Sequence, residues 1–389
     1  MGMNFYARLA SFGFLLGLLP FAGSASVAVA STAGCAGSTI VGSPSPGPVG
    51  NHLSGVVSLS PSNAWAVGAA YEAAGMPPTL LSRPLIAHWD GNAWRSAPSP
   101  TLPGGGALSS ISALNQGNIW AVGHQGSSAE GSPLVERWDG SKWKVVSSPA
   151  VPSGFLLGVS ARSENDIWAV GIRLGSTSYS LIEHWDGASW RVVPSPNPSD
   201  SYNEIDSVVA TSAGTAWAVG FSLGDINSVP MLARWDGSRW NLVASPVAGL
   251  PSSLLRSVAA RSEKDIWAVG QSRSEDGSVV QPLVEHWNGR DWRIVKSSSP
   301  TSQSSFVGVA AAQGRVWAVG VRVDGFTNRT LMERLGDGQF SAVPSANRGA
   351  GDNGLEAAAI APNGVVWAVG SDQGLTKGES LVVRGCASD

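Results

Sequence analysis

The amino-acid sequence predicts an all-β fold, a seven-bladed β-propeller with four antiparallel strands in each blade. Two repeated motifs support this prediction. Trp-Ala-Val-Gly occurs seven times at intervals of 48 to 55 residues, and a period near 50 is typical of repeat architectures. Trp-Asp-Gly-x-x-Trp, or a variant of it, follows six of the copies, and the two motifs together contain all 17 tryptophans. The tryptophans that begin the first motif are Trp65, Trp120, Trp168, Trp217, Trp267, Trp317 and Trp367.

The third repeat shows how one blade is built from four short apolar stretches. They cover residues 156–161, 167–172, 181–185 and 190–193. Asp186-Gly187 is a tight-turn sequence between the last two stretches, and Pro194 ends the fourth. Four short strands that follow one another in antiparallel order form one propeller blade.

Alternation along the second strand predicts how blades pack. Trp168 and Val170 point to one face of the sheet, whereas Ala169 and Gly171 point to the other. The bare face lets the next blade approach closely and accept bulky side chains. Burial of one tryptophan contributes roughly 4 to 6 kcal/mol before conformational entropy is subtracted. We therefore expect the tryptophans to form the core; the alternative is that they are sugar-stacking platforms.

The sixth repeat departs from the second motif. Leu335 and Phe340 occupy the two tryptophan positions, and Gly336-Asp337 replaces Asp-Gly. Because the five-residue interval is kept, we expect a blade that is repacked rather than lost.

The two ends of the chain predict how the ring closes. The last repeat has three strands, near residues 355–361, 365–370 and 381–384, and lacks a fourth. Residues 40–44 match residues 192–196 of the template, so the N-terminal segment is expected to be the outer strand of the seventh blade. Cys386 falls on the position of Asp186, and Cys35 falls near the other side of that turn. A disulfide between Cys35 and Cys386 would clasp the ring.

The N-terminus has the order of a secretory signal peptide. Arg8 precedes an apolar run over residues 9–21, and Ala28-Val29-Ala30 is a cleavage sequence. We expect a signal peptide over residues 1–30, a mature propeller over residues 31–389, and no membrane insertion after cleavage. A membrane anchor is the alternative, but the run is shorter than the roughly 20 residues that a spanning helix needs. A lipid anchor on Cys35 is a second alternative.

Composition argues against nucleic acid as a partner. Charged residues make up 14% of the chain, the formal net charge is −3, and no block of like charge occurs.

The repeats resemble those of bacterial secreted seven-bladed propellers that are related to kelch and Asp-box propellers. The resemblance covers about residues 35–386 and depends on Trp-Ala-Val-Gly and Trp-Asp-Gly-x-x-Trp. The glycine doublet of kelch repeats is absent, and the Asp-to-Gly spacing of an Asp box differs. The resemblance therefore implies the fold and no particular activity.

The polar residues do not assemble a catalytic or metal-binding motif. His88, His184 and His286 precede the tryptophan of the second motif, where other repeats carry arginine. A position that alternates between histidine and arginine is not a metal ligand, so no metal, cofactor or catalytic residue is predicted.

Recognition is expected on one rim of the ring. The connections between second and third strands, and those between blades, share a rim that we call the long-loop rim; its longest segments are residues 69–84, 173–180, 271–282 and 322–330. Variable loops on a rigid scaffold are where binding tends to occur. The candidate binding residues are Tyr71, Arg83, Tyr179, Tyr202, Asp225, Arg273, Asp276, Arg322, Asp324 and Arg329.

These observations favour a monomeric, secreted, non-enzymatic propeller that binds a protein or a glycan through the long-loop rim. A lectin with repeated sugar sites between blades is the first alternative. A glycoside hydrolase-like enzyme is the second, and it would need arginines and a Tyr/Glu pair at the channel mouth.

Overall fold

The seven predicted blades are present. The computed structural model describes residues 37–74, 79–127, 131–212, 214–224, 226–246, 248–298, 301–373 and 377–385. Over these residues the chain forms seven four-stranded antiparallel sheets and no helix. The fold prediction is confirmed. No helix of the described residues could span a membrane.

Each of blades 1 to 6 uses four consecutive strands. Blade 1 contains β2 (Gly50–Ser60), β3 (Asn63–Ala74), β4 (Thr79–Trp89) and β5 (Trp94–Ala97). Blade 2 contains β6 (Gly106–Asn115), β7 (Asn118–Gln125), β8 (Ser132–Trp138) and β9 (Trp143–Val145). Blade 3 contains β10 (Gly154–Ser163), β11 (Asp166–Arg173), β12 (Tyr179–Trp185) and β13 (Trp190–Val192). Blade 4 contains β14 (Asn203–Ser212), β15 (Thr215–Leu223), β16 (Ser228–Trp235) and β17 (Trp240–Val243). Blade 5 contains β18 (Ser252–Ser262), β19 (Asp265–Arg273), β20 (Val280–Trp287) and β21 (Trp292–Ile294). Blade 6 contains β22 (Ser304–Ala312), β23 (Arg315–Asp324), β24 (Thr327–Gly336) and β25 (Gln339–Ala342).

Blade 7 closes the ring with strands from both ends of the chain. It contains β26 (Asp352–Ile360), β27 (Val366–Gln373), β28 (Gly378–Gly385) and, outermost, β1 (Ser38–Val41). β1 pairs antiparallel with β28, and Ser38 lies opposite Gly385. The predicted closure by the N-terminal strand is therefore present. Cys35, Cys386 and the expected signal peptide lie outside the described residues, so the disulfide and the cleavage remain predictions.

Bulky faces pack on bare faces, as the alternation predicted. Trp168 and Val170 of blade 3 belong to a core cluster with blade 4, whereas Ala169 packs against Trp120 of blade 2. Trp168 is 3% exposed and Trp120 is 1% exposed. Fourteen of the 17 tryptophans are buried, and Trp138, Trp235 and Trp287 are partly exposed. The alternative that most tryptophans are stacking platforms is therefore wrong.

Aromatic triads join most neighbouring blades. Trp65 of blade 1 packs against Trp138 and Trp143 of blade 2, with ring centroids 4.9 and 5.7 Å apart. Equivalent triads recur at the junctions of blades 2/3, 3/4, 4/5 and 7/1. At the blade 5/6 junction Phe340, 1% exposed, packs edge-on against Trp267, so the sixth blade is repacked as expected.

The glycine of Trp-Ala-Val-Gly is required by a bulge in the innermost strand. In blade 3 the pairing of β10 with β11 shifts between Leu156 and Gly158. A Cβ on Gly171 would lie 1.9 Å from the backbone oxygen of Phe155. The seven equivalent glycines all meet a backbone oxygen within 2.1 Å. Close backbone approach, in addition to the bare face, therefore explains this invariant position of the repeat.

Candidate functional site

The bulges place one residue from each blade at the central channel. The innermost strands β2, β6, β10, β14, β18, β22 and β26 neighbour one another around the ring. The bulge leaves one residue of each strand outside the ladder register. All seven are partly exposed although their neighbours are mostly buried. In blade order, these channel-ring residues are Ser54, Ser109, Leu157, Asp206, Arg256, Val307 and Glu356.

Asp206 and Arg256 are neighbours in the channel ring and are joined by a hydrogen bond. Nη1 of Arg256 donates to Oδ1 of Asp206 across 2.9 Å and to Oε1 of Glu204 across 3.5 Å. The guanidinium carbon lies 5.2 Å from the ring centroid of Phe221. Two carboxyl groups and an aromatic ring of blade 4 thus fix the arginine of blade 5.

Tyr202 extends this cluster towards the long-loop rim. Its hydroxyl donates to Oε2 of Glu204, and its ring centroid lies 5.5 Å from that of Phe221. Tyr202 and Glu204 are 8% and 9% exposed. We call Tyr202, Glu204, Asp206, Phe221 and Arg256 the channel-mouth cluster.

The net charge of the channel-mouth cluster depends on whether Asp206 is protonated. Burial, together with the neighbouring charge of Glu204, holds the pKa of Asp206 well above its ordinary value. Oδ2 of Asp206 is buried and accepts no hydrogen bond from the described residues. A proton on Asp206 supplies a donor for the adjacent Glu204 carboxylate, which already accepts from Tyr202 and Arg256. One negative and one positive charge then remain, and the cluster is neutral.

Apolar residues of three blades support the cluster from behind. Phe155 and Ile172 of blade 3, Phe221 of blade 4 and Leu254 of blade 5 form one buried group with Tyr202. Blade 5 has Leu254 at the position equivalent to Phe155, whereas blades 6 and 7 have Ser305 and Gly354 there. The mouth of the channel is therefore asymmetric, with its apolar side at blades 3 to 5.

Of the predicted binding residues, the structure brings only Tyr202 into this cluster. Tyr179 is 43% exposed and lies on the same rim, where Arg173 approaches its ring to 5.9 Å. Tyr71 stacks on His52 with a centroid distance of 5.6 Å, and the two side chains share a hydrogen bond of 3.1 Å.

Three of the remaining predicted arginines have local structural partners. Nε of Arg83 lies 2.7 Å from Glu72, and Arg322 lies 3.7 Å from Asp324. Nη1 of Arg329 donates to the backbone oxygens of residues 349 and 351, each across 3.3 Å. Arg273 is exposed at the end of β19, and Asp225 lies outside the described residues.

Asp276 caps its own loop. It accepts hydrogen bonds from the hydroxyl of Ser274 across 2.6 Å and from the amide of Ser278 across 3.0 Å. These donors lower the pKa of Asp276 to about 2. Its position explains loop geometry rather than ligand binding.

The cation-capable side chain of the second motif, histidine or arginine, packs over a core tryptophan. His184 lies over Trp168, with a centroid distance of 4.2 Å, and its Nε2 lies 2.8 Å from Asp166. Arg137 occupies the same position over Trp120, 5.1 Å from the ring centroid. Stacking on tryptophan explains why histidine and arginine alternate there. The described residues contain no group of three or more His, Cys, Asp or Glu that could hold a metal ion.

A shallow cavity of about 570 Å³ lies on the perimeter between blades 1 and 2. Its walls include the linker around Ser99 and the outer strand around Trp143. Trp143 is only 5% exposed, and Lys144 is paired with Asp139 across 2.5 Å. This is the feature closest to the predicted sugar sites between blades, but it lacks an open aromatic face for stacking.

Sequence reasoning did not identify Glu204, Asp206, Phe221 or Arg256. The available signal was a departure from the repeat consensus. Asp206, Arg256 and Glu356 place charges where the other four repeats have serine, leucine or valine. A charge at one fixed repeat position, within an otherwise apolar strand, is the pattern that could have found them.

Comparison with solved structures shows the propeller fold. YCF48 from Cyanidioschyzon merolae is 18% identical, with a TM-score of 0.54 over 90% of this chain and 99% of that chain. A PL25 polysaccharide lyase, an ulvan lyase bound to -[GlcA(1-4)Rha3S]-, is 11% identical with a TM-score of 0.55 over 88% and 97% of the two chains. The extracellular domain of the putative hybrid two-component system BT4673 from B. thetaiotaomicron is 9% identical, with a TM-score of 0.56 over 89% and 39%.

No protein-family model and no curated protein sequence matches the chain. At these identities the structural likeness establishes a propeller scaffold and leaves the ligand to be argued from the site itself.

Proposed function

We propose that this protein is a secreted, non-enzymatic propeller that binds a glycan at the mouth of its central channel, on the long-loop rim. The channel-mouth cluster is the observation that carries the proposal. It combines hydrogen-bonding groups with adjacent apolar surface, the mixture that ligand sites use to fix orientation. The apolar N-terminal run supports secretion.

The chemistry of the channel ring favours a sugar over a protein surface. Ser54 and Ser109 offer hydroxyl groups, Leu157 and Val307 offer apolar surface, and Arg256 offers charged donors. This mixture of polar and apolar side chains suits a ligand with many hydroxyl groups and an apolar ring face. A glycan that contains an acidic sugar is bound by one of the propellers of similar fold, the ulvan lyase.

The test is a combined glycan and peptide array probed with the wild-type protein and two variants. Ser54→Trp fills the channel ring without changing its charge, and it should abolish binding. Lys142→Gln changes the perimeter cavity between blades 1 and 2, and it should leave binding unchanged. Binding that survives Ser54→Trp but is lost with Lys142→Gln would replace this proposal with the lectin alternative. Binding confined to peptides would replace the glycan with a protein ligand.

The Tyr202–Glu204 pair favours glycoside hydrolysis as a second candidate function. A tyrosine beside a glutamate is the arrangement used by hydrolases with a tyrosine nucleophile, and Asp206 holds a proton of the kind a general acid requires. A single arginine, Arg256, is present in place of the expected group. A screen of chromogenic glycosides tests this candidate; turnover that disappears with Tyr202→Phe and Glu204→Gln would establish an enzyme.

A further inference from the structure

One edge of the Arg256 guanidinium is held by protein, and the other edge is open. Nη1 makes the hydrogen bonds to Asp206 and Glu204. Among the residues that the structure describes, none accepts a hydrogen bond from Nε or Nη2. Neither nitrogen belongs to the buried polar atoms without a partner, and 28% of the side chain is exposed. The Nε/Nη2 edge therefore reaches the solvent of the channel.

The surroundings of this edge supply no acceptor. The next channel-ring residue is Val307 of blade 6, and Leu157 of blade 3 lies on the far side of Asp206. The carboxylate of Glu204 already accepts from Tyr202 and Arg256. The site thus offers two parallel N–H donors without an acceptor among the described residues, so a ligand there has to bring its own acceptor oxygens.

We propose that Nε and Nη2 of Arg256 bind the carboxylate of a uronic acid, an inference that rests on the proposed glycan-binding function. The two donors of a guanidinium edge match the two oxygens of a carboxylate, and such bidentate pairs are among the stronger hydrogen-bonded contacts. The contacts with Asp206, Glu204 and Phe221 fix the guanidinium before the ligand arrives, so binding loses little side-chain freedom.

The cluster is neutral when Asp206 holds its proton, so a ligand with a single negative charge adds less repulsion than a ligand with two. Arg256 is the one cation of the channel ring, and Glu204, Asp206 and Glu356 are the carboxyl groups near or in it. A phosphate dianion would add two negative charges to a site that already contains these carboxyl groups. The hydroxyl groups of Ser54 and Ser109 can donate to and accept from the hydroxyl groups of a sugar.

The test compares trigalacturonate with its methyl ester by titration calorimetry on the whole protein. The two ligands share one sugar skeleton and differ in the carboxylate. We expect the wild type to bind the acid at least tenfold more tightly than the ester. Arg256→Gln should erase this preference, and Arg290→Gln, which changes an exposed arginine in the β20–β21 turn of the same blade, should keep it. Equal binding of acid and ester would overturn the inference while leaving glycan binding intact. Preference for triglutamate over trigalacturonate would overturn the sugar assignment.

A second variant separates loss of ligand binding from loss of the fold. Arg256→Gln leaves Asp206 and Glu204 without their cation and can destabilise the blade 4/5 junction. Val307→Glu keeps the cluster and places a carboxylate of the protein beside the open edge. It should weaken trigalacturonate at least tenfold with an unchanged melting temperature. Unaltered affinity in a folded Val307→Glu protein would overturn the inference.

Discussion

Ser148, on the linker after blade 2, donates from Oγ to Oε2 of Glu183 in blade 3 across 2.6 Å. The same bond links blades 1/2, 4/5 and 5/6, where the pairs are Ser99–Glu136, Ser245–Glu285 and Ser297–Glu333. All four glutamates are 0% exposed. At the other three junctions the linker serine turns back to its own blade, and the pairs are Ser195–Ser180, Ser345–Thr330 and Ser43–Ser380.

Whether the linker serine bonds to the next blade or to its own blade correlates with one residue of the third strand, the residue at the position of Ser180. The four blades whose linker bonds forward have Pro84, Pro133, Pro230 or Pro282 at that position, and the other three have Ser180, Thr330 or Ser380. Ser180 donates its amide to Asn197 across 2.7 Å and so holds the linker to blade 3. Proline has no amide hydrogen and releases the linker to the next blade. Where the preceding blade has serine or threonine at that position, the next blade carries alanine or valine in place of the buried glutamate.

We predict that stability falls as the pH rises from about 5 to about 8. Burial raises the pKa of Glu136, Glu183 and Glu285 to about 7, although their serine donors oppose the shift. The folded state therefore holds more protons than the unfolded state between pH 4.5 and pH 7. The free energy of unfolding is greatest below this window, falls through it by on the order of 3 kcal/mol per carboxyl, and levels above it. Urea unfolding at several pH values measures the slope.

Glu183→Gln provides the control for this prediction. Glutamine keeps the acceptor for Ser148 but cannot ionise, so the variant should match the wild type near pH 5 and exceed it near pH 8. A slope that is the same in both proteins would show that Glu183 does not titrate in this range.

We predict that a junction whose linker serine bonds to its own blade can be converted to the forward-bonding type only if two residues are changed together. Ser180→Pro removes the amide donor to Asn197 and the hydroxyl that bonds to Ser195, although residue 180 keeps the backbone oxygen that accepts from Ser195. Ala233→Glu buries a carboxyl group in blade 4 without a donor. Each alone should lower the free energy of unfolding by on the order of 2 kcal/mol. Together they reproduce the forward-bonding junction, so their combined cost should be smaller than the sum by about 1–2 kcal/mol. A double-mutant cycle in urea measures the coupling, and strict additivity would contradict the relationship.

We predict that Gly171→Ala destabilises blade 3 severely. The new Cβ would lie 1.9 Å from the backbone oxygen of Phe155, which the bulge fixes in place. The expected loss is on the order of 3 kcal/mol or more. Gly336→Ala is the matched control because nothing lies within 4 Å of its Cβ position, and it should change stability by less than about 0.5 kcal/mol. Thermal melting of both variants tests the difference.

We predict that Cys35 and Cys386 are joined by a disulfide. β1 and β28 bring the two ends together, with Ser38 opposite Gly385. In blade 7 these two residues occupy the aromatic positions of the other blades, so Trp317 of blade 6 has no aromatic partner among the described residues. A bond there would strengthen the junction that lacks a triad, by at most about 5–6 kcal/mol for so long a loop.

Peptide mapping without reductant should recover the linked pair, and reductant should lower the melting temperature. A Cys35→Ser/Cys386→Ser double variant should melt at the lower temperature with or without reductant. Alkylation of both thiols in the unreduced protein would refute the bond.

The strands and blade faces were predictable because their causes are local. Alternation in Trp168-Ala169-Val170-Gly171 and the turn at Asp186-Gly187 depend on neighbours a few residues apart, and the same causes act in every repeat. The bulge was not predictable in this way. Gly171 looked like part of a bare face, and only the pairing of β10 with β11 shows that a backbone oxygen occupies the position of its side chain.

The sequence by itself determined the number of blades, the aromatic core and the strand that closes the ring, since each follows from a pattern repeated about every 50 residues. Only the tertiary structure decided where chemistry can occur. Asp206 and Arg256 are 50 residues apart and meet because successive bulges face one channel. Their charges are unremarkable along the chain. The raised pKa of Asp206 and the open donor edge of Arg256 arise only because two blades bury the two residues side by side.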